Sequence, residues 1–163
     1  MTTIAGATTY CIYLSTTKTG AEGSETPTGD IVYFYAEDYD RSVANLALPK
    51  PTIGGTFYIP TSKFSIVVTL KNVFIGPQGA ITATTEADAI EKFLFDNSIK
   101  RGASGFYLFL YNEAETQYRK YAWTSSGTQV RTILCCVNGW NEEMGKGKHY
   151  ILPSLKFTTL KYA

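Results

Sequence analysis

Apolar side chains recur along this chain with two different periods, and the change of period marks its elements. Between residues 85 and 97 the run TEADAIEKFLFDN puts Ala87, Ile90, Phe93 and Leu94 on one side of a helix, flanked by Glu91 and Lys92. Thr85 stands where its hydroxyl can accept a bond from an unpaired first-turn N–H. Asp88 follows in a capping-box-like position, and Glu86 lies in the positive end of the helix dipole. Asn97, Ser98 and Gly102 end the element. No second stretch shows this period. The partner surface for Ile90, Phe93 and Leu94 must therefore be a sheet, and their full burial contributes roughly 1.5–3 kcal/mol each.

Elsewhere the repeat is two, as strands require. Residues 10–14, 31–35, 57–59, 64–70, 106–111, 117–123, 130–137 and 155–162 read as strands, with 72–75 extending the fourth. In 64–70, Phe64, Ile66, Val68 and Leu70 alternate with Ser65, Val67 and Thr69, a set apolar enough for a central strand. In 106–111 (FYLFLY) every residue is large and apolar or aromatic, so both faces must be covered. One face meets the helix and core; the other meets a second layer of this chain or another molecule. Turn signals at 112–115 and 125–127 join the last three strands before 138 into an antiparallel meander.

Between these runs lie polar stretches. Residues 1–9 are small and polar and read as a flexible N-terminal arm. Residues 15–30 (STTKTGAEGSETPTGD), with three Gly and one Pro, read as a long polar loop. Residues 36–55 read as irregular, and 138–148 (NGWNEEMGKGK) as a Gly-rich loop. Without a linker or repeat, residues 1–163 form a single domain. The fold class is mainly β: an antiparallel β-sandwich or partly closed β-barrel of roughly seven to nine strands, with one flanking α-helix at about 85–97.

Composition changes this picture in one respect. Charged residues make up only 18% of the chain while aromatics reach 14%, with twelve Tyr, a side chain suited to half-buried contact surfaces. A net charge of +1 gives no reason to expect nucleic acid or an anionic membrane as partner, and no apolar run is long enough to span a bilayer. The N-terminus lacks the basic region and cleavage site of a secretory signal. Cys135 and Cys136 point to opposite faces of one strand, so they and Cys11 read as buried thiols rather than disulfide partners. Asp38 and Asp40 lack the glycine and distal Glu of a calcium loop, and GKGKH at 145–149 lacks the spacing and following helix of a phosphate loop. Glu142, Glu143 and the single His149 form no recognisable acid–base pair. No catalytic, cofactor-binding or metal-binding residue is assigned, no cofactor is implied, and the chain does not read as an enzyme.

The order of elements carries a resemblance. It runs from a long polar loop between early strands, through a single capped helix at 85–97 and an antiparallel meander, to a glycine-containing loop and the closing strand YILPSLKFTTL. Over about residues 10–162 this layout is similar to tail-tube proteins of tailed bacteriophages and to inner tubes of contractile injection machines. The resemblance implies a barrel or sandwich whose copies form rings that stack into a tube, in a virion assembled in the host cytoplasm. Its partners are then copies of itself and other virion proteins. It assigns no residue a role, because it is a likeness of layout.

Candidate subunit contacts come from the residues instead: Lys18, Glu22 and Glu25 on the polar loop, and Tyr107 and Phe109 on the doubly apolar strand. Trp140 and Met144 on the Gly-rich loop are either contacts or a local cap on the core. The alternative is a small-molecule- or carbohydrate-binding β-barrel or sandwich in which the Tyr and Trp rings line a pocket.

Overall fold

The computed structural model describes residues 10–45, 48–59, 63–75, 83–112, 114–140, 143–144 and 150–159. Its first half holds β1 (Tyr10–Thr19), β2 (Thr26–Asn45), β3 (Leu48–Thr52), β4 (Gly55–Ile59) and β5 (Phe64–Ile75). Then come α1 (Ala83–Leu94), a π-helical turn (Phe95–Ile99) and β6 (Phe106–Asn112). Four short or medium strands follow: β7 (Gln117–Tyr118), β8 (Ala122–Trp123), β9 (Gln129–Val130) and β10 (Leu134–Trp140). The last two are β11 (Glu143–Met144) and β12 (Tyr150–Thr159).

Strand pairing runs β1-β2-β5-β12-β10-β6, and β6 pairs back onto β1. Six strands thus close a barrel, antiparallel throughout. Closure gives each of the six a neighbour on both sides over part of its length, which shortens the open edges that a flat sheet would offer to another chain. The terminal strand closes the wall: β12 sits between β5 and β10.

Alternation then decides what fills the barrel. Ile12 and Leu14 of β1, Phe34 and Ala36 of β2, Ile66, Val68 and Leu70 of β5, and Leu108 and Leu110 of β6 all join one buried cluster. The helix adds Ile90, Phe93 and Leu94, the apolar face that its spacing predicts. Phe93 packs edge-on against Phe106 at 5.8 Å, and Phe106 in turn against Phe157 of β12 at 5.6 Å. Cys135 faces this core and Cys136 the other side, and none of the three cysteines is in a disulfide.

One residue reverses the facing of two strands. Asn72 has φ +48°, the left-handed region, so β5 presents Leu70 inward before it and Val73 inward after it. Its side-chain amide donates to Glu37 Oε2 at 2.6 Å, across the ladder. β2 switches at the same level: Ala36 faces the core, and so does Tyr39.

Several expectations need correction. Residues 15–30 are not a loop: β1 and β2 pair out to Thr19↔Thr26, leaving only 20–25 as the turn. Both faces of this extension are mostly exposed, so its strands carry no apolar alternation to read. Residues 36–55 are not irregular either, since β2 continues to Asn45 and β3 pairs with β4 as a separate two-stranded ribbon. The meander holds only in part. β7 pairs with β6, but β8 and β9 pair with each other and β10 returns directly to β6. The helix begins at Ala83, which puts Thr85 inside its first turn rather than at its cap. The Gly-rich segment is partly strand, through Trp140 of β10 and through β11. The arm at 1–9, Glu142, and His149 with the glycines before it lie outside the described residues.

Candidate functional site

Because β1, β6 and β2 as far as Ala36 have their even-numbered side chains in the core, the odd-numbered set there faces outward. Register places these in three rows across β2, β1 and β6: Tyr35–Cys11–Tyr111, Tyr33–Tyr13–Phe109 and Ile31–Ser15–Tyr107. Tyr13 stacks on Tyr33 at 5.5 Å and meets Tyr111 and Tyr118 edge-on at 6.1 and 5.6 Å. Tyr118, carried by β7, closes over the middle of the face, 5.2 Å from Phe109 and 5.3 Å from Tyr111. Cys11 and Phe109 are wholly buried beneath it, while Tyr33 and Ile31 keep 39% and 42% of their area exposed. Burial raises the phenol pKa of Tyr13 and Tyr118, so these two hydroxyls stay protonated further into the alkaline range than an exposed tyrosine.

The barrel has a seam where β6 and β10 separate. Their ladder consists of two pairs, Leu134↔Tyr107 and Cys135↔Phe106. Beyond it, the Leu108 carbonyl lies in the core and accepts from two side chains, the Tyr121 hydroxyl at 2.7 Å and the Thr132 hydroxyl at 2.6 Å. Tyr121 has no exposed area, and burial is the main cause that lifts its pKa well above the usual value. Glu25 seals the outer part of the seam. Its Oε2 accepts from the Gly23 N–H at 3.0 Å and from the Arg131 N–H at 3.1 Å, tying the β1–β2 turn to the chain leading into β10. Lys18 Nζ lies 4.0 Å from Glu25 Oε1 and 5.6 Å above the Tyr107 ring.

The structure therefore brings Lys18, Glu25 and Tyr107 together, with Phe109 one row away. Glu22 is exposed in the β1–β2 turn. Trp140 packs half-buried against the core, as a local cap would. Met144 sits on β11 opposite Tyr150, and its side chain lies outside the described residues. Two of the candidate contacts need correction: Glu25 and Phe109 have no exposed area and hold this subunit together. Glu25 reads as a loop carboxylate because the N–H that buries it belongs to a residue 106 positions away.

Next to the seam is a group that sequence reading did not single out. Arg119, Lys120 and Arg131 line a cleft of about 420 Å³ together with Glu115, Gln117 and Tyr118. Arg119 donates to the Tyr39 hydroxyl and lies 5.3 Å over that ring, while Arg41 donates to the Tyr121 carbonyl. These two arginines clasp β2 to the chain between β7 and β8. The Asp38, Asp40 pair is taken up locally: Asp40 bridges Lys71 at 2.6 Å, and Asp38 accepts from the Tyr39 N–H at 2.8 Å.

The β3–β4 ribbon completes the surface. Every residue from 49 to 56 is exposed, and Ile53 at its tip is the most exposed large apolar side chain among the described residues. Comparison with protein families, with curated proteins and with solved structures finds no match.

Proposed function

We propose that this chain is a structural subunit that assembles with copies of itself into stacked rings, as a tail-tube-like component of a virion, and that it has no enzymatic role. The observation that carries this reading is the β3–β4 ribbon. An isolated two-stranded hairpin is marginally stable in water at best. Among the described residues this one has no strand partner in the barrel, and it presents Ile53 to solvent at the turn. Such a ribbon is explained if its cover is another subunit. Pro49 and Pro51 lack backbone N–H donors, which disfavours open-ended strand addition along β3 and leaves side-chain docking as the mode of contact.

The exposed part of the tyrosine face, Tyr33 and Ile31, supplies a second surface of the amphipathic kind that subunit contacts favour. The alternative, a barrel that encloses a ligand, requires room inside. Here the described interior is filled by Phe, Leu, Ile and Val side chains, which favours the assembly reading. Light scattering and negative-stain microscopy of the purified chain test it. Rings or tubes that are lost in an Ile53→Asp variant are the expected result. Single dispersed subunits at high concentration, in the unmodified chain, would overturn it.

A further inference from the structure

We propose that the cleft between Arg119, Lys120 and Arg131 binds an oxyanion, a phosphate or carboxylate group that displaces the Gln117 amide oxygen from Arg131. This is independent of the assembly reading. Three cations share the cleft with a single carboxylate, Glu115, one oxygen of which already accepts from Gln117 Nε2 at 3.0 Å. None of the ion pairs seen between described residues includes any of these three cations.

Arg131 is a cation of the cleft with unused donors. A guanidinium carries five N–H donors in a rigid plane, shaped to meet two oxygens of one anion side by side. Here its buried Nε has no acceptor, and its Nη2 reaches only the neutral Gln117 Oε1 at 3.4 Å. That bond is long, and Gln117 is exposed, so the amide can swing aside. A charged oxyanion in its place would make shorter bonds of about twice the strength.

Two of these residues are anchored before any ligand arrives, Arg131 through its backbone and Arg119 through its side chain. The Arg131 backbone is pinned by Glu25, and the Arg119 guanidinium is fixed on Tyr39. Such preorganisation lowers the ordering cost of binding. A space of about 420 Å³ admits a small phosphorylated molecule or an acidic side chain.

Calorimetric titration of the full chain tests this, using inorganic phosphate and, separately, a hexaglutamate peptide at constant ionic strength. Saturable binding of at least one probe is expected. It should weaken about ten- to a hundredfold in Arg131→Lys, which keeps the charge and loses the planar fork. Arg101→Gln, an exposed cation outside the cleft, should leave it unchanged. Gln117→Ala removes the competing oxygen and should tighten it. Binding of phosphate alone assigns a small anion; binding of hexaglutamate alone assigns a carboxylate on a peptide. Should Arg131→Lys lose its native circular dichroism, Lys120→Gln provides the same comparison from an exposed position. Absence of heat with both probes in the folded chain, or equal affinity in wild type and Arg131→Lys, overturns the proposal.

Discussion

The barrel and the β3–β4 ribbon are both antiparallel β-structure, yet they solve the burial problem in opposite ways. In the barrel wall the buried apolar side chains of β1, β2, β5 and β6 that face inward join one continuous cluster, and even the outward face of β6 is roofed by Tyr118. In the ribbon every residue from 49 to 56 is exposed, and its pairing is held by backbone bonds and by the Thr52 hydroxyl donating to the Gly55 carbonyl at 2.8 Å. Pairing strands does not itself stabilise them much in water; burying a face does. The ribbon is therefore the part of this subunit whose side chains remain available for something else.

Substitutions can sharpen or break that contrast. The largest loss of monomer stability is expected for Phe106→Ala, which empties the space between Phe93 and Phe157. It should cost about 3–5 kcal/mol, read as a lower denaturant midpoint at unchanged slope. Glu25→Ala comes next, because it leaves the buried Gly23 N–H and the part-buried Arg131 N–H without their acceptor. A loss of about 1–3 kcal/mol is expected, with faster amide exchange at Gly23 and Arg131. If both amides stay protected, the clasp at the seam is not what holds the β1–β2 turn.

Tyr121→Phe should cost about 1 kcal/mol at neutral pH, since the hydroxyl donates to the Leu108 carbonyl but the ring still fills its site. It also changes the alkaline limb. Burial raises the Tyr121 pKa in the folded state, so the stabilisation it contributes is complete below the unfolded value of about 10 and is lost as pH rises toward the folded value. The wild type should therefore lose stability above that pH more steeply than Tyr121→Phe, as measured by urea unfolding across the range. The smallest effect on the monomer is expected for Ile53→Asp, within about 0.5 kcal/mol, because that side chain is fully exposed. A large destabilisation from Ile53→Asp would mean that the ribbon is packed after all, and the contrast with the barrel would fail.

Local repetition was legible in the chain by itself. The spacing of Ile90, Phe93 and Leu94 marked the helix face, and the alternation through Phe64, Ile66, Val68 and Leu70 marked the inward side of β5, because each pattern records burial against one neighbouring layer. The same logic indicated that both faces of β6 would be covered. What alternation could not convey is which molecule covers the outer one, and Tyr118 of the same chain turns out to lie over Phe109.

Tertiary structure alone decided the rest. Strands at 15–19 and 37–45 were invisible because their mostly exposed side chains carry no burial signal, and their pairing rests on backbone groups that every residue possesses. The facing switch at Asn72, the burial of Glu25 and the gathering of Arg119, Lys120 and Arg131 depend on a closed wall that brings distant segments into register. The chain's own order thus determined where apolar faces lie. Closure of the barrel determined which polar groups those faces trap, since that is set by partners as much as 106 residues apart.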